Sequence, residues 1–200
     1  MTSSLFSPLR PTPRQLQRML AQQADQPLSY PESAASHPHR HPHLGTLPPH
    51  YALRRYGQRI GQGDEDLARA RAAMSAWIPF DLPWVALWPP SPAWVPGTVF
   101  LVLGHILGVW SVNACRVLYL LDDPTHGFGL GYGTLPGHAL SGEERLRLLR
   151  DPDGTLRYEL FSFSRASSLL ARLGSFPLRE WQGRFDREST RRMQDALRRR

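Results

Sequence analysis

The chain of 200 residues is 41% apolar and 10% aromatic, enough for one domain with a sizeable core and with no compositional reason for two. Its formal net charge of +7 rests on arginine alone, since no lysine occurs, and arginine used everywhere singles out no anion site. Cys115 is the only cysteine, which excludes an internal disulfide and a structural thiolate metal site and leaves a small hydrophobe in an apolar run.

The N-terminus lacks the basic segment followed by an apolar stretch that marks secretion. Residues 1–50 read as an irregular N-terminal arm. Within it, Pro13 stands near the start of a short helix whose apolar stripe is Leu16, Met19 and Leu20. Pro27 to Pro49, rich in proline, histidine and serine, reads as a loop lying on the surface or partly disordered. A strand is predicted over Tyr51 to Ile60, then the turn Gly61-Gln62-Gly63 and a helix over Glu65–Trp77 capped by Asp64. Leu67, Ala70, Met74 and Trp77 share one face of that helix. Pro79 and Pro83 limit it, and Asp81 to Pro96 forms a tight section in which Trp84, Trp88 and Trp94 serve packing.

From Gly97 to Phe163 the pattern turns to strands, at 98–103, 105–111, 114–121, 127–134, 143–149 and 155–163. Gly104, Asp122-Asp123-Pro124, Pro136-Gly137 and Asp151-Pro152-Asp153-Gly154 mark the breaks, and such short connections favour an antiparallel meander. The longest apolar region, Val95 to Leu121, is interrupted by Pro96, His105, Asn113 and Arg116, so no membrane insertion is expected and a cytoplasmic location is the simplest reading. Helix returns at Ser168 to Leu173, is interrupted by Gly174 and Pro177, and resumes from Leu178 to Leu197 with Leu178, Trp181, Phe185 and Met193 as its stripe.

The run Gly127-Phe128-Gly129-Leu130-Gly131-Tyr132-Gly133-Thr134 places glycine at every second position. In a strand, Phe128, Leu130, Tyr132 and Thr134 then occupy one face while the other carries no side chain, which predicts sharp curvature or close approach by another element. Together with the element order, this predicts an α+β helix-grip domain over 51–200, a curved antiparallel sheet wrapped around a long C-terminal helix. Neither a reaction nor a ligand is named by these residues.

The stretch Cys-Arg-Val-Leu-Tyr at 115–119, GFGLGYGTLPGHALSGEERL at 127–146 and YELFSFSRASSLLARLG at 158–174 resembles the bacterial and plant family DUF1990, also called UPF0548. Supporting pieces are Leu28-Ser29-Tyr30-Pro31-Glu32, Met74-Ser75-Ala76-Trp77 and Arg179-Glu180-Trp181-Gln182-Gly183-Arg184-Phe185. The histidine-rich segment Ser33 to Gly45 departs from the family pattern as an insertion, and Ala166 stands where proline is frequent. The family is similar to the START and Bet v 1 (SRPBCC) group, whose members commonly enclose apolar ligands between sheet and C-terminal helix. The resemblance implies a fold more firmly than a function, because no activity or residue role is settled for the family.

Several residues are candidates for chemistry. Imidazoles at His37, His39, His41 and His43 would share one side of an extended segment, which Pro38 and Pro42 favour, but the composition promises no rigid surroundings for a metal. A solvated loop is the reading, and no cofactor or metal is predicted. The spaced glycines open no helix and precede no lysine, so they cradle no nucleotide. His138, in the Pro136-Gly137 turn and before Glu143-Glu144, either ties down the turn, touches a ligand or works in acid-base chemistry with Glu144. Arg116, Tyr132, Glu144, Tyr158 and Arg165 form a polar set among strand residues, and Arg116 could meet Glu144 or Glu159. That set is either a structural ion-pair network or a means of orienting the polar end of an apolar ligand.

The leading expectation is an apolar or amphipathic small molecule walled by Phe128, Leu130, Tyr132, Tyr158 and Trp181, with Arg116 or Arg165 at its polar end. An enzyme using His138 and Glu144, and a structural or protein-interaction module with a filled core, are the alternatives. Nucleic acid is not an expected partner, since Arg191, Arg192 and Arg198-Arg199-Arg200 share a solvated helix end with Asp186, Glu188 and Asp195. Oligomeric state is left open.

Overall fold

The computed structural model describes residues 6–39, 50–125, 127–167 and 175–198. In chain order the elements are β1 (Phe6–Ser7), α1 (Pro13–Gln23), β2 (Ala52–Gln62), α2 (Gly63–Ser75), a 3-10 turn (Ile78–Phe80), β3 (Val85–Trp88) and β4 (Val99–Ile106). There follow β5 (Val109–Asp123), β6 (Gly127–Thr134), β7 (Leu140–Arg150), β8 (Thr155–Ala166) and α3 (Ser175–Arg198). The strands form one antiparallel sheet in the order β2-β8-β7-β6-β5-β4-β3, with β1 beside β5. Consecutive strands from β3 to β8 are neighbours, as short connections require, and β2 closes on β8. This is an α+β helix-grip arrangement: a curved, open sheet with a long C-terminal helix on its inner face.

The inner core joins Phe100, Val117, Leu130, Tyr132, Leu146, Leu148, Leu156, Tyr158 and Leu160 of the sheet to Met74, Trp77 and Phe80, and to Met193 and Leu197 of α3. Helix α3 lies against β2, β8, α2 and the 3-10 turn. The outer face is covered too. Leu16 of α1 packs on Leu101, Leu103, Val112 and Leu135, while Tyr30 and Ala35 pack with Tyr51, Phe161 and Phe163. Segment 27–39, read from sequence as a loop packed on the surface or partly disordered, is packed, through the buried Tyr30, Ala34 and Ala35. The sequence-predicted helix at Ser168 to Leu173 lies outside the described residues.

Local chemistry explains several boundaries. At α1, Thr12 Oγ1 accepts from the Gln15 N–H while Gln15 Oε1 accepts from the Thr12 N–H, a capping box completed by Pro13. Helix α2 starts at Gly63, earlier than predicted, because Gly63 turns the chain at φ +83°. Its leading amide is served by Asp66, whose Oδ2 accepts from Gln62 N at 2.8 Å; Asp64 faces Arg150 instead of capping. The predicted break at Gly104 is also displaced. Leu107 and Gly108, at φ 50° and 77°, form the two-residue hairpin turn, and β4 runs straight through Gly104. Strand β3 lies within the tryptophan-rich section, where the sequence reading placed none.

A bulge in β5 decides the sheet's two faces. Register shifts between Val117 and Tyr119, so Val117 stays inside, opposite Tyr132, and Tyr119 moves outside, opposite Gly131. The bare glycine face is thus the outer one. A Cβ on Gly131 would lie 2.2 Å from Tyr119 Cζ, and one on Gly133 would lie 2.1 Å from Tyr30 Oη. The glycines admit two tyrosines onto the back of the sheet.

Candidate functional site

Across the inner face the register aligns Arg54 with Ser162, Ser162 with Glu144, Glu144 with Tyr132, and Tyr132 with Val117. Directly opposed residues in an antiparallel sheet share a face, so four strands deliver one polar row. Helix α3 sets Asp186, Ser189, Thr190 and Met193 above it, spaced three or four apart on one helical face and all buried.

One guanidinium serves two carboxylates here. Arg54 Nη1 lies 2.9 Å from Asp186 Oδ2, and Arg54 Nη2 lies 3.9 Å from Glu144 Oε1. Among the described residues, Arg54 Nη1, Glu144 Oε1, Ser162 Oγ, Asp186 Oδ1 and Thr190 Oγ1 are buried without a hydrogen-bond partner, while the Tyr158 hydroxyl has Ser189 beside it. Such groups are costly to bury and are rarely left unsatisfied in folded proteins. Burial pushes the Asp186 carboxyl up to about 7, with Glu144 adding to the rise and Arg54 opposing it. Burial likewise raises Glu144, against Arg54 and a hydrogen bond from Tyr132. The phenols of Tyr132 and Tyr158 are pushed well above their ordinary range by burial, so both remain neutral.

The expected wall residues Phe128, Leu130, Tyr132 and Tyr158 do share the inner face. Phe128 stacks on Trp94 at 5.4 Å, with the Arg71 guanidinium 4.2 Å from its ring centroid. Trp181 sits apart at the rim, 5.7 Å from Trp84, with Arg184 over both rings. Two expected anchors are on the other face. Arg116, between the buried Cys115 and Val117, donates through Nη2 to the carbonyls of Gln23 and Ala24 at 3.3 and 2.8 Å, closing the C-terminus of α1. It meets neither Glu144 nor Glu159; Glu159 pairs with Arg147 at 2.8 Å. Arg165 lies over the Tyr51 ring at 5.4 Å, on the outer side with Phe163.

His138 is held in its turn: its ring Nδ1 accepts from Leu140 N at 2.9 Å, and its backbone N–H donates to Leu135 O at 3.2 Å. Desolvation pushes its pKa down, and its partners are not those of Glu144, which faces Arg54 and Tyr132. The structure does not bring the pair together. His37 Nδ1 accepts from His39 N at 3.2 Å and the two rings stack at 5.5 Å, while His41 and His43 lie outside the described residues. Among the described residues no group of three His, Cys, Asp or Glu side chains is arranged to hold a metal.

Sequence reading missed Arg54, Ser162, Asp186, Ser189 and Thr190, and it set Asp186 on a solvated helix face although only 3% of it is exposed. A signal existed: counting back from Met193 and Leu197 at helical spacing reaches Thr190, Ser189 and Asp186.

A second buried carboxylate lies behind the sheet. Glu143 Oε1 accepts from Tyr30 Oη at 2.7 Å and Ala34 N at 2.5 Å, and Oε2 accepts from Ser36 N at 2.8 Å and Ser36 Oγ at 2.6 Å. The Tyr119 hydroxyl reaches Ser36 Oγ at 2.7 Å, and Arg145 donates to Ser36 O. Burial pushes Glu143 up, and these hydrogen bonds pull it back down.

Comparison with known proteins agrees with the geometry. A family model described as "Domain of unknown function (DUF1990)" matches residues 29–192. A UPF0548 protein of Deinococcus radiodurans is 37% identical over 170 residues, covering 78% of this chain and 81% of the relative. A UPF0548 protein of Dictyostelium discoideum is 35% identical over 150 residues, covering 70% and 69%. Among solved structures, the di-domain ARO/CYC BexL superposes with a TM-score of 0.52 at 16% identity, over 78% of this chain and 52% of that one. The di-domain ARO/CYC StfQ gives 0.51 at 12% identity, over 74% and 51%. This chain spans about half the length of each di-domain protein, and the likeness is one of fold. Among the described residues no helix is long and apolar enough to cross a membrane. With the family model spanning most of its length, the chain belongs to the DUF1990 (UPF0548) family, built on a helix-grip fold.

Proposed function

We propose that the protein binds an apolar or amphipathic small molecule between the inner face of the sheet and α3, with the polar end of the ligand at Arg54, Glu144 and Asp186. The observation that carries this reading is the set of five buried polar atoms, on Arg54, Glu144, Ser162, Asp186 and Thr190 from β2, β7, β8 and α3, that find no hydrogen bond within the protein. Sites for small molecules are apolar with a few convergent polar groups, and Leu146, Leu160 and Met193 supply apolar neighbours to the polar row. Phe128, Leu130, Tyr132 and Tyr158 remain the wall in this reading, and Arg54 takes the place expected of Arg116 or Arg165.

Native mass spectrometry of the full chain from several expression hosts, followed by solvent extraction, tests this. A bound small molecule at unit stoichiometry, lost in Arg54→Met, is expected. Apo protein from every host, and no binding from a panel of apolar compounds, would sink the proposal.

One observation favours a second reading, an interaction module with a filled core. Trp77, Phe80, Phe100, Tyr132 and Phe185 pack into one another at centroid distances of 5.2 to 6.2 Å, occupying one part of the grip with side chains. The same experiment separates the two readings.

A further inference from the structure

We infer that the polar end of the ligand is a cationic hydrogen-bond donor, a protonated amine on an apolar body, seated between Glu144 and Asp186; this rests on the ligand-binding reading above. Charge is the first argument. Among the described residues Arg54 is the cation in contact with both carboxylates, and its Nη1 is ion-paired with Asp186 Oδ2 at 2.9 Å without the alignment of a hydrogen bond. With both carboxylates ionised the cluster carries one negative charge in excess in a largely desolvated setting, the side chains of Arg54, Glu144 and Asp186 being 24%, 18% and 4% exposed, and an unpaired charge there is costly. A carboxylate or phosphate end would deepen that excess. An ammonium would cancel it.

Hydrogen-bond capacity is the second argument. Glu144 Oε1 and Asp186 Oδ1 are both buried acceptors without a donor. An ionised carboxylate accepts only, whereas the hydroxyls of Tyr158, Ser162 and Thr190 turn to either role. The Tyr132 hydroxyl is already spent on Glu144. Among the described residues of the cluster Arg54 Nη1 is the one unsatisfied N–H donor and is ion-paired with the other Asp186 oxygen, Oδ2, so Glu144 Oε1 and Asp186 Oδ1 still lack donors, and an ammonium brings three. Burial of Tyr158, Ser162, Asp186 and Thr190 to 4% exposure or less places this demand within the protein rather than on its surface.

A pH dependence follows. The groups facing the cluster are Arg54 from β2, Cys115 from β5, Tyr132 from β6, Glu144 from β7, Tyr158 from β8, and Asp186 with the exposed Arg187 from α3. Of these, Asp186 titrates near 7, so an ammonium bound beside it displaces a proton, and binding tightens as pH rises through neutrality.

The test is calorimetric titration of the full chain with decylamine, decanol and decanoate at pH values of about 6 and 8, on wild type, Glu144→Gln and Asp186→Asn. Decylamine is expected to bind at least about tenfold more tightly than either analogue, since a buried charge-assisted pair is worth that much or more. Its affinity should rise several-fold from the lower to the higher pH. It should fall about tenfold in each variant, with the wild-type far-ultraviolet circular dichroism and a cooperative thermal transition showing each variant to be folded. Decanoate binding most tightly, or decylamine binding equally well to all three proteins, overturns the inference and leaves the ligand-binding reading standing. Binding of none of the three to wild type overturns both.

Discussion

Glu143 and Glu144 are neighbours in β7 and so point to opposite faces of the same sheet, Glu143 buried, Glu144 half-buried, and both with a raised carboxyl pKa. Their surroundings differ in kind. Behind the sheet, Glu143 receives four hydrogen bonds from Tyr30, Ala34 and Ser36, which clasp the N-terminal arm to the strands. Within the grip, Glu144 has an ion pair at 3.9 Å and an oxygen with no hydrogen bond. A satisfied buried carboxylate holds structure together, whereas an unsatisfied one costs stability and is a reason to look for a ligand.

The sharpest way to break this contrast is Glu143→Ala. It leaves a hydroxyl, two amides and Ser36 Oγ without their acceptor, and should cost about 3–5 kcal/mol in chemical denaturation. A loss below about 1 kcal/mol would mean that the clasp is ornamental to stability.

The inner face predicts a pH effect of definite sign. Asp186 has an ordinary carboxyl pKa of 3.8 when unfolded and about 7 when folded, so between these values the folded state holds the extra proton. Stability contributed by this group is full below about pH 4, falls as pH rises toward 7 by at most about 1.4 kcal/mol per unit, and is lost above that. Asp186→Asn should flatten this part of the stability profile, measured as the difference between the two proteins. Parallel profiles would refute the assignment.

The outer face also predicts a steric effect. Gly133→Ala sets a Cβ 2.1 Å from Tyr30 Oη, and should cost about 1–3 kcal/mol through overpacking. Tyr30→Phe in the same chain removes the conflicting atom, so the double variant should be less destabilised than the sum of the two, a non-additivity that a double-mutant cycle reads directly. Strict additivity would mean that the arm does not sit against this glycine.

The smallest expected effect sharpens the contrast most. Glu144→Gln removes a charge that burial disfavours and sacrifices only a long ion pair, so its stability change should lie within about 1 kcal/mol of zero, in either direction. A loss comparable to that of Glu143→Ala would show the inner carboxylate to be structural as well.

Much of the architecture was legible before any coordinates. Strand and helix periods placed β2, β6, β8, α2 and the C-terminal helix to within a few residues, because hydrophobic alternation and the 3.6-residue repeat are properties of the chain itself. The glycine alternation calls for sharp curvature or a close neighbour, and close neighbours are found, while Phe128, Leu130 and Tyr132 share one face as a two-residue period requires. What periodicity leaves open is which face looks inward. From sequence, Arg116 and Arg165, polar residues among strand residues, are open between a structural ion-pair network and an anchor for a ligand's polar end, and only the covering of the back by α1 and the arm reveals them as outer residues. The bulge between Val117 and Tyr119 reverses the alternation with no local sequence mark, so the pairing of Tyr119 with Gly131 is decided by the partner strand. The candidate site is more dependent still on tertiary structure. Arg54, Glu144 and Asp186 come from three distant segments; from sequence Glu144 reads within the strand polar set, Asp186 on a solvated helix end, and Arg54 is not singled out. They become one desolvated cluster only when β2, β7 and α3 converge, because desolvation is a property of the assembled fold and not of any residue.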